Sequence, residues 1–211
     1  MGKLIVTELM TLDGVGQGPG GPDEDREGGF AFGGWQAPFD DDTAGQAMFD
    51  AARSMDALLL GRRTFEIFAG YWPSAPEEIP YTGLLNGVPK HVATGSLAEP
   101  LAWSGSTVLE GDLTGAVTAL KARHDEVHVI GSLDLVQTLL AEGLFDRLNL
   151  WIYPVLLGPG KQVFASGSVP TNLTLIEPAI TTPNGVVRVR YAPAEGTPAT
   201  GDMATRDRDS A

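Results

Sequence analysis

The sequence predicts an α/β protein of three layers, with helices on both faces of a mixed, mostly parallel sheet. Up to about residue 143, β-rich runs alternate with helical patterns, which favours parallel strands joined by crossover helices. Beyond that point, short β-rich runs are separated by Gly, Pro and Asn turns, which predicts antiparallel hairpin strands. We expect one domain over residues 1–192. The small, polar and charged residues of 193–211 predict a disordered tail.

Composition narrows the classes of function. The chain has 211 residues and a net charge of −13, which argues against nucleic acid or an anionic membrane as the main partner. Cysteine is absent, which excludes disulfides, thiolate metal sites and cysteine nucleophiles. No apolar run approaches the ~20 residues that span a bilayer, and no secretory signal is evident. We therefore expect a cytoplasmic protein with a small-molecule substrate.

The first strand and the long loop after it contain several candidate residues. Residues 3–10 predict a strand, and Glu8 falls on its apolar face less cleanly than its neighbours. Residues 15–34 are rich in Gly, Pro and acids, and loops of that length are usually functional lids or disordered. A lid is favoured here by three aromatic residues, Phe30, Phe32 and Trp35. The capping-box spacing of residues 43–46 then predicts a helix to about Arg53.

A candidate anion site follows the next apolar run, which ends at Leu60. Gly61, Arg62 and Arg63 come directly after it, and Thr64 is the expected N-cap of the helix that begins there. A helix N-terminus at a strand end presents unpaired N–H groups and the positive end of the helix dipole. Two guanidinium groups add donors suited to phosphate. This stretch predicts the anchor of a nucleotide cofactor.

Further strands end in small or polar residues. Residues 90–94 and 126–130 predict strands that lead into Gly95-Ser96 and Gly131-Ser132, and Asp134 opens the next helix. Ligands of parallel sheets bind beyond the carboxyl ends of the strands, so these ends predict a single cleft. The remaining expected elements are a strand at 107–109, a helix at 113–123, and strands at 147–155, 162–164, 172–181 and 186–192.

Several motifs leave alternatives open. Residues 16–21 match the dinucleotide fingerprint, but Pro22 and acids follow, so we interpret them as loop composition. Asp13 is either a residue that binds substrate or relays a proton, or simply part of an Asp-Gly turn. Trp35 and Phe39 either stack on a flat heterocycle or pack the loop on the core. The three histidines do not form a metal set, and we expect no metal.

Four segments in this order carry a resemblance to a known family: residues 10–14, 60–66, 129–132 and 153–160. The chain resembles the dihydrofolate reductase-like superfamily, and specifically bacterial proteins similar to the C-terminal reductase domain of the bifunctional riboflavin-biosynthesis deaminase/reductase. The resemblance covers residues 3–192 and implies a dihydrofolate reductase-like α/β/α fold. Ser132 stands where those reductases have the second residue of a glycine pair.

The resemblance implies a free-standing NADPH-dependent reductase that transfers a hydride to a pterin- or pyrimidine-like ring, or to another C=N or C=O group. Open alternatives are 5-amino-6-(5-phosphoribosylamino)uracil reductase-type activity and nucleotide binding without turnover. Family members commonly form homodimers. The implied catalytic residue is Asp13. The implied cofactor-binding residues are Gly61, Arg62, Arg63, Thr64, Thr94, Gly95, Ser96, Gly131, Ser132, Asp134, Leu135 and Val136, with the arginine pair near the 2′-phosphate. The substrate-binding candidates are Asp13, Gly14, Trp35, Phe39 and Tyr153.

Overall fold

The computed structural model describes residues 1–165 and 168–202. Its strands are β1 (Lys3–Thr11), β2 (Ala57–Gly61), β3 (Lys90–Ala93), β4 (Ser106–Val108), β5 (Glu126–Ile130), β6 (Arg147–Tyr153), β7 (Leu173–Leu175), β8 (Ile180–Thr181) and β9 (Val187–Pro193). Its α-helices are α1 (Asp42–Ala52), α2 (Arg62–Tyr71), α3 (Pro80–Gly87), α4 (Leu113–Arg123) and α5 (Leu133–Ala141).

The strands form one mixed sheet in the order β4-β3-β2-β5-β1-β6-β9-β7, and β8 pairs with β9. The six strands from β4 to β6 are parallel, whereas β7, β8 and β9 are antiparallel to their neighbours. Because parallel strands share a direction, the carboxyl ends of β1, β2, β3, β5 and β6 lie at one edge. This arrangement confirms the predicted sheet and its C-terminal antiparallel strands.

Alternate side chains of the sheet pack against different helices, which confirms the three layers. On one face Leu4 and Val6 of β1 join a buried cluster with residues of α4 and α5. On the other face Leu58 and Leu60 of β2 pack with Phe65 of α2 and with residues of α3. The period of two along each strand therefore divides the apolar residues between the two faces of the sheet.

Two predicted helix starts are wrong by a few residues. Helix α1 begins at Asp42 because the side chain of Asp41 accepts a hydrogen bond from Ala44 N at 2.7 Å, so the capping-box threonine is inside the helix. Helix α2 begins at Arg62 with Gly61 as N-cap, and Thr64 is therefore not the cap. The chain turns directly from β2 into α2, which leaves no connecting residues between them.

The predicted C-terminal strands are also changed. Residues 162–164 form no strand, since only an isolated bridge joins Val15 and Gln162. Residues 172–181 contain two short strands, β7 and β8, with Pro178 between them. Proline has no N–H to donate to a strand partner, so a single continuous strand is disfavoured there.

The start of the predicted tail is tied to the domain. Strand β9 continues to Pro193, and Ala194 N donates to Asn172 O at 2.9 Å. The side-chain amide of Asn172 donates to Glu195 O and Gly196 O at 3.2 and 3.1 Å. Contacts with the rest of the domain therefore continue past residue 192. Residues 203–211 lie outside the described residues, so the predicted disorder of that part stays a prediction.

Glu8 is a carboxyl group inside the sheet. It is 2% exposed and follows Leu4 and Val6 on the face that packs against α4 and α5. Its Oε1 atom has no hydrogen-bond partner. Desolvation by burial raises the pKa of Glu8 to about 8 because the charged form loses its hydration. The side chain is therefore mostly protonated at neutral pH.

This burial predicts a pH-dependent stability. The ordinary pKa of the group is 4.5 and the folded value is about 8, so between these values the folded chain keeps a proton that the unfolded chain loses. The free energy of unfolding should therefore fall as pH rises across this interval. Chemical denaturation of the wild type, Glu8→Gln and the exposed control Glu142→Gln measures it. A slope equal in all three proteins would contradict the assignment to Glu8.

Candidate functional site

Two helix N-termini meet at the carboxyl edge of the sheet. Strand β2 leads into α2 and the neighbouring strand β5 leads into α5. The N–H of Gly61 donates to Ser132 Oγ at 2.9 Å, and a Cβ built on Gly131 would lie 3.6 Å from Thr64 Cγ2. The structure thus brings together the strand ends at Gly61 and Gly131 that the sequence predicts to share a cleft.

The chemistry of this pair of termini fits a phosphate group. Asp41 and Asp112 cap α1 and α4 with their side chains, whereas α2 and α5 have no capping side chain. The first-turn N–H groups and dipoles of α2 and α5 are therefore free of such an acceptor, which favours an anion. A Cβ on Gly61 would lie 3.4 Å from Ser132 Cβ, so glycine keeps this approach open. The donor set fits the diphosphate of a dinucleotide.

Ser132 has an unusual backbone conformation. Its φ is 70°, and Gly131 before it has a φ of 66°. A residue with a Cβ is strained in this region, where glycine would be free of strain. The hydroxyl of Ser132 compensates by accepting the hydrogen bond from Gly61 N. The side chain therefore joins the two helix starts at the point where the candidate site lies.

Helix α5 contributes mainly backbone to this site. Leu135 and Val136 are 8% and 0% exposed and belong to the core cluster, so their side chains face away from the edge. Asp134 is exposed in the first turn, where its charge is stabilised by the helix dipole. These three predicted cofactor residues are placed at the site, and their contact with a cofactor stays a prediction.

The two arginines have different surroundings. Arg62 pairs with Glu66 one turn later at 2.9 Å, and both side chains are nearly half exposed. Such a pair is weak and is readily exchanged for another partner. Arg63 instead reaches Asp25 at 2.5 Å and Glu27 at 3.0 Å in the long loop after β1. Both predicted phosphate ligands thus have carboxylate partners, and Asp25 is the most shielded of these partners.

The segment after β3 lies beside α2 at the same edge, because β3 pairs with β2. The hydroxyl of Thr94 accepts hydrogen bonds from Ser96 N and Leu97 N at 3.1 and 3.2 Å. A Cβ on Gly95 would meet no atom within 4 Å, so this turn is open. The turn is placed next to the α2 N-terminus, and its contact with the adenosine end of a cofactor stays a prediction.

Asp13 lies in a network of hydrogen bonds. Its carboxylate accepts from Thr11 Oγ1 at 2.5 Å, from Gly158 N at 2.7 Å and from Leu157 N at 3.1 Å. These bonds lower the pKa of Asp13, and the bond from Thr11 has the largest effect. The group is therefore ionised at neutral pH and holds no proton to donate. The contacts favour its structural role in the turn, and its contact with substrate stays a prediction.

The aromatic substrate candidates pack the loop against the sheet. Trp35 and Tyr153 are 6% and 1% exposed, and their rings meet edge to face at 5.1 Å. The indole N–H of Trp35 donates to Gln17 O at 2.8 Å, and Phe39 contacts Tyr153 at 5.9 Å. Of the two roles open for Trp35, the structure favours packing. Gly14 has a φ of 86°, as its tight turn requires.

A groove separates the long loop from the turn after β6. Its volume is about 450 Å³, and Phe32 in its wall is 45% exposed. Gly158, whose N–H binds Asp13, immediately precedes this lining, so the groove adjoins the Asp13 turn. The lining residues are Gln17, Glu27, Gly28, Gly29, Phe30, Ala31, Phe32, Pro159, Gly160 and Lys161.

Sequence reasoning missed Lys161 and Glu8 as residues of this edge. Lys161 lines the groove and contacts Asp25 and Glu27, but nothing local marks it, since these partners are far away in sequence. Thr7 pairs with Ile130, so Glu8 comes level with Gly131 at the end of β5. Glu8 could have been found from the sequence, because it is an acidic residue at a position of β1 where the alternation predicts an apolar one.

The described residues show neither a membrane-crossing helix nor a metal cluster. Within residues 1–165 and 168–202, no helix is long and apolar enough to traverse a bilayer. The same residues contain no group of three or more potential metal ligands.

The ring of His91 lies 5.6 Å from the ring of His124. Burial lowers the pKa of His91 to about 4, so that ring is neutral at neutral pH.

Ser132 provides a test of the contact between the helix starts. Ser132→Ala loses the hydroxyl and keeps the strain, whereas Ser132→Gly loses the hydroxyl and removes the strain. We expect the glycine variant to be close to the wild type and the alanine variant to be less stable than glycine by about 1 kcal/mol. Chemical denaturation measures the difference. An alanine variant as stable as the glycine variant would be inconsistent with the left-handed conformation.

Comparisons with known proteins agree with this architecture. The curated protein YyaP of Bacillus subtilis (strain 168) is 24% identical over 197 residues, which are 90% of this chain and 94% of YyaP. A protein from Shewanella sp. PV-4, described as a riboflavin biosynthesis protein, has a similar crystal structure with a TM-score of 0.67. The two sequences are 20% identical, and the match covers 92% of this chain and 99% of the Shewanella chain.

The fold also matches one part of a larger enzyme. The Thermotoga maritima diaminohydroxyphosphoribosylaminopyrimidine deaminase/5-amino-6-(5-phosphoribosylamino)uracil reductase is similar with a TM-score of 0.60 and 16% identity. The match covers 92% of this chain but 57% of that enzyme.

The family model of the RibD C-terminal domain matches residues 2–187. With almost the whole domain matched, the chain belongs to the RibD C-terminal domain family.

Proposed function

We propose that this chain is an NADPH-dependent reductase that transfers a hydride to a pyrimidine- or pterin-like ring or to another C=N or C=O group. Its family membership supports the oxidoreductase class. The observation that carries the proposal is the pair of uncapped helix N-termini, α2 and α5, joined by the hydrogen bond from Gly61 to Ser132. Such a pair is suited to a diphosphate.

The cofactor would lie along the carboxyl edge of the sheet. First-turn N–H groups of α2 and α5 would hold its diphosphate, and the exchangeable guanidinium of Arg62 would bind the 2′-phosphate. The open turn of Thr94, Gly95 and Ser96 would accept the adenosine end. When bound, NADPH supplies the hydride, and the protein supplies alignment and excludes water.

The groove beside Asp13 is our candidate for the substrate site. The exposed ring of Phe32 provides an apolar surface for a flat heterocycle. The carboxylate of Asp13 is an acceptor, so it would bind an N–H group of the ring rather than donate a proton. Lys161, the cation that lines the groove, is paired with Asp25 and Glu27. A phosphorylated ring would have to displace these carboxylates, whereas an uncharged ring would not.

A second candidate is the 5-amino-6-(5-phosphoribosylamino)uracil reductase-type activity, which the fold similarity to the Thermotoga maritima enzyme favours. It requires cations for the ribose phosphate, which Lys161 and Arg63 could provide only after losing their carboxylate partners. Nucleotide binding without turnover is the remaining alternative. Assays of a purified protein with phosphorylated and unphosphorylated aminouracils separate the three.

We also propose that the protein forms a homodimer through strand β7. This strand lies at the end of the sheet order, and Leu173, Leu175 and Ile176 are 39%, 46% and 41% exposed. An apolar edge strand tends to pair with a second chain, and a second copy related by a two-fold axis is the commonest such partner. The interface would lie at the other end of the sheet from β4.

Cofactor binding tests the main proposal. We expect NADPH to raise the melting temperature, and Arg62→Ala to weaken NADPH by about tenfold while it changes NADH little, since one charged contact to the 2′-phosphate is lost. Fluorescence titration measures both affinities. Arg53→Ala, at the far end of α1, is the control. The proposal fails if neither cofactor binds to the wild type. The role of Arg62 fails if Arg62→Ala weakens the affinity for NADPH and for NADH equally.

Oligomeric state tests the homodimer. Light scattering should give twice the chain mass of 22.2 kDa for the wild type and a single chain mass for the double variant Leu173→Lys, Leu175→Lys, because like charges would face each other across the interface. Leu156→Lys changes a leucine elsewhere that is more exposed, at 68%, and should remain dimeric. A monomeric wild type would refute the proposal.

A further inference from the structure

Four charged side chains form a compact cluster at the candidate cofactor edge. Arg63 contacts Asp25 at 2.5 Å and Glu27 at 3.0 Å. Lys161 contacts the same two carboxylates at 3.2 and 2.6 Å. Each cation therefore binds both acids, and two positive charges are balanced by two negative charges. We call these four residues the charged bridge.

The charged bridge joins segments that follow three different strands. Arg63 follows β2, Asp25 and Glu27 belong to the loop after β1, and Lys161 follows β6. In the sheet β5 and β1 lie between β2 and β6, so the bridge links strand ends that are not neighbours. Neighbouring strands are about 4.8 Å apart, so the ends of β2 and β6 are roughly 14 Å apart along the edge.

The loop is built to hold the two acids in place. The side-chain amide of Gln17 donates to Asp25 O at 3.3 Å and to Glu27 O at 3.0 Å. The Oε1 atom of Gln17 accepts from Lys161 N at 3.0 Å. Asp25 is also well shielded, with 9% of its side chain exposed, whereas 55% of the Glu27 side chain is exposed. Glu27 is thus the partner that leaves at the smaller cost.

The ionisation of the bridge agrees with this geometry. Burial opposes the charge of Asp25, but hydrogen bonds from Arg63, Glu27 N and Lys161 lower its pKa. A hydrogen bond from Lys161, with the charges of Lys161 and Arg63, lowers the pKa of Glu27. Both acids are therefore carboxylates at neutral pH. A carboxylate presents two oxygens to a guanidinium as a phosphate does, so it occupies the same kind of position.

We propose that Arg63 and Lys161 form an oxyanion-binding site that Asp25 and Glu27 fill in the free protein, and that a phosphate group of the cofactor replaces these carboxylates. The part that concerns the cofactor rests on the proposed function. Binding must then release at least Glu27 from Arg63, and the affinity for phosphate is reduced by the free energy of that release. The loop acts as an internal competitor for the phosphate.

Release of Glu27 also changes the candidate substrate groove. Glu27 and Lys161 both line that groove, so replacing their contact with a phosphate moves one wall of it. The cofactor therefore prepares the groove for the second ligand. A purely structural bridge would behave differently: losing one of its acids would loosen the loop without any gain in affinity for an anion.

Glu27→Gln tests the competition, because the amide keeps the size of the side chain and removes its charge. We expect NADPH and inorganic diphosphate to bind about threefold to tenfold more tightly to this variant than to the wild type. Asp23→Asn removes the same charge from the same loop, but Asp23 pairs with Arg26 instead, so it is the matched control. Equal affinity of the two variants would overturn the proposal.

Two further measurements separate the possible failures. Lys161→Met should weaken diphosphate binding, and diphosphate should speed hydrogen exchange of the amides of residues 23–30 in the wild type. If diphosphate leaves this exchange unchanged, the carboxylates are not displaced and the proposal is wrong. If diphosphate binds as expected but neither NADPH nor NADH does, the oxyanion site stands and the proposed reductase function fails.

Discussion

The hydrogen bond between Gly61 N and Ser132 Oγ is the contact on which the candidate site depends. It joins the start of α2 to the start of α5 at the ends of two neighbouring strands. Without it, the strained conformation of Ser132 would have no compensating contact. A diphosphate needs donors on both sides, so its position is defined by the distance between the helices. The edge is thus organised before any ligand binds.

Most of the sheet could be predicted from the sequence because its signals are local. A buried apolar run followed by glycine and a helical pattern marks each strand-to-helix unit, and Gly61 and Gly131 were found in this way. The conformation of Ser132 could not be predicted, since its compensating partner is 71 positions away. Helix starts were misplaced for a similar reason. Asp41 and Gly61 are both plausible caps, and only the backbone geometry selects between cap and first turn.

Side-chain roles at the site were harder to predict, because they depend on contacts between distant segments. The carboxylate of Asp13 is occupied by N–H groups 144 and 145 positions away, which no local pattern shows. Glu8 lies in the same strand region but is buried without a partner for Oε1. The two environments move the pKa values in opposite directions. At neutral pH the edge therefore contains one fixed acceptor and one group that retains its proton.

The long loop after β1 combines two properties that are usually considered separately. Two of its aromatic residues, Phe30 and Trp35, are buried with residues of β6, so apolar contacts hold one part of it firmly. Its acidic turn is held by ion pairs instead, and those of the exposed Glu27 are the weaker ones. In the site we propose, the apolar part would keep the loop in place while the charged part responds to phosphate. In a chain of net charge −13, the carboxylate partners would then neutralise Arg63 and Lys161 until a stronger anion is present.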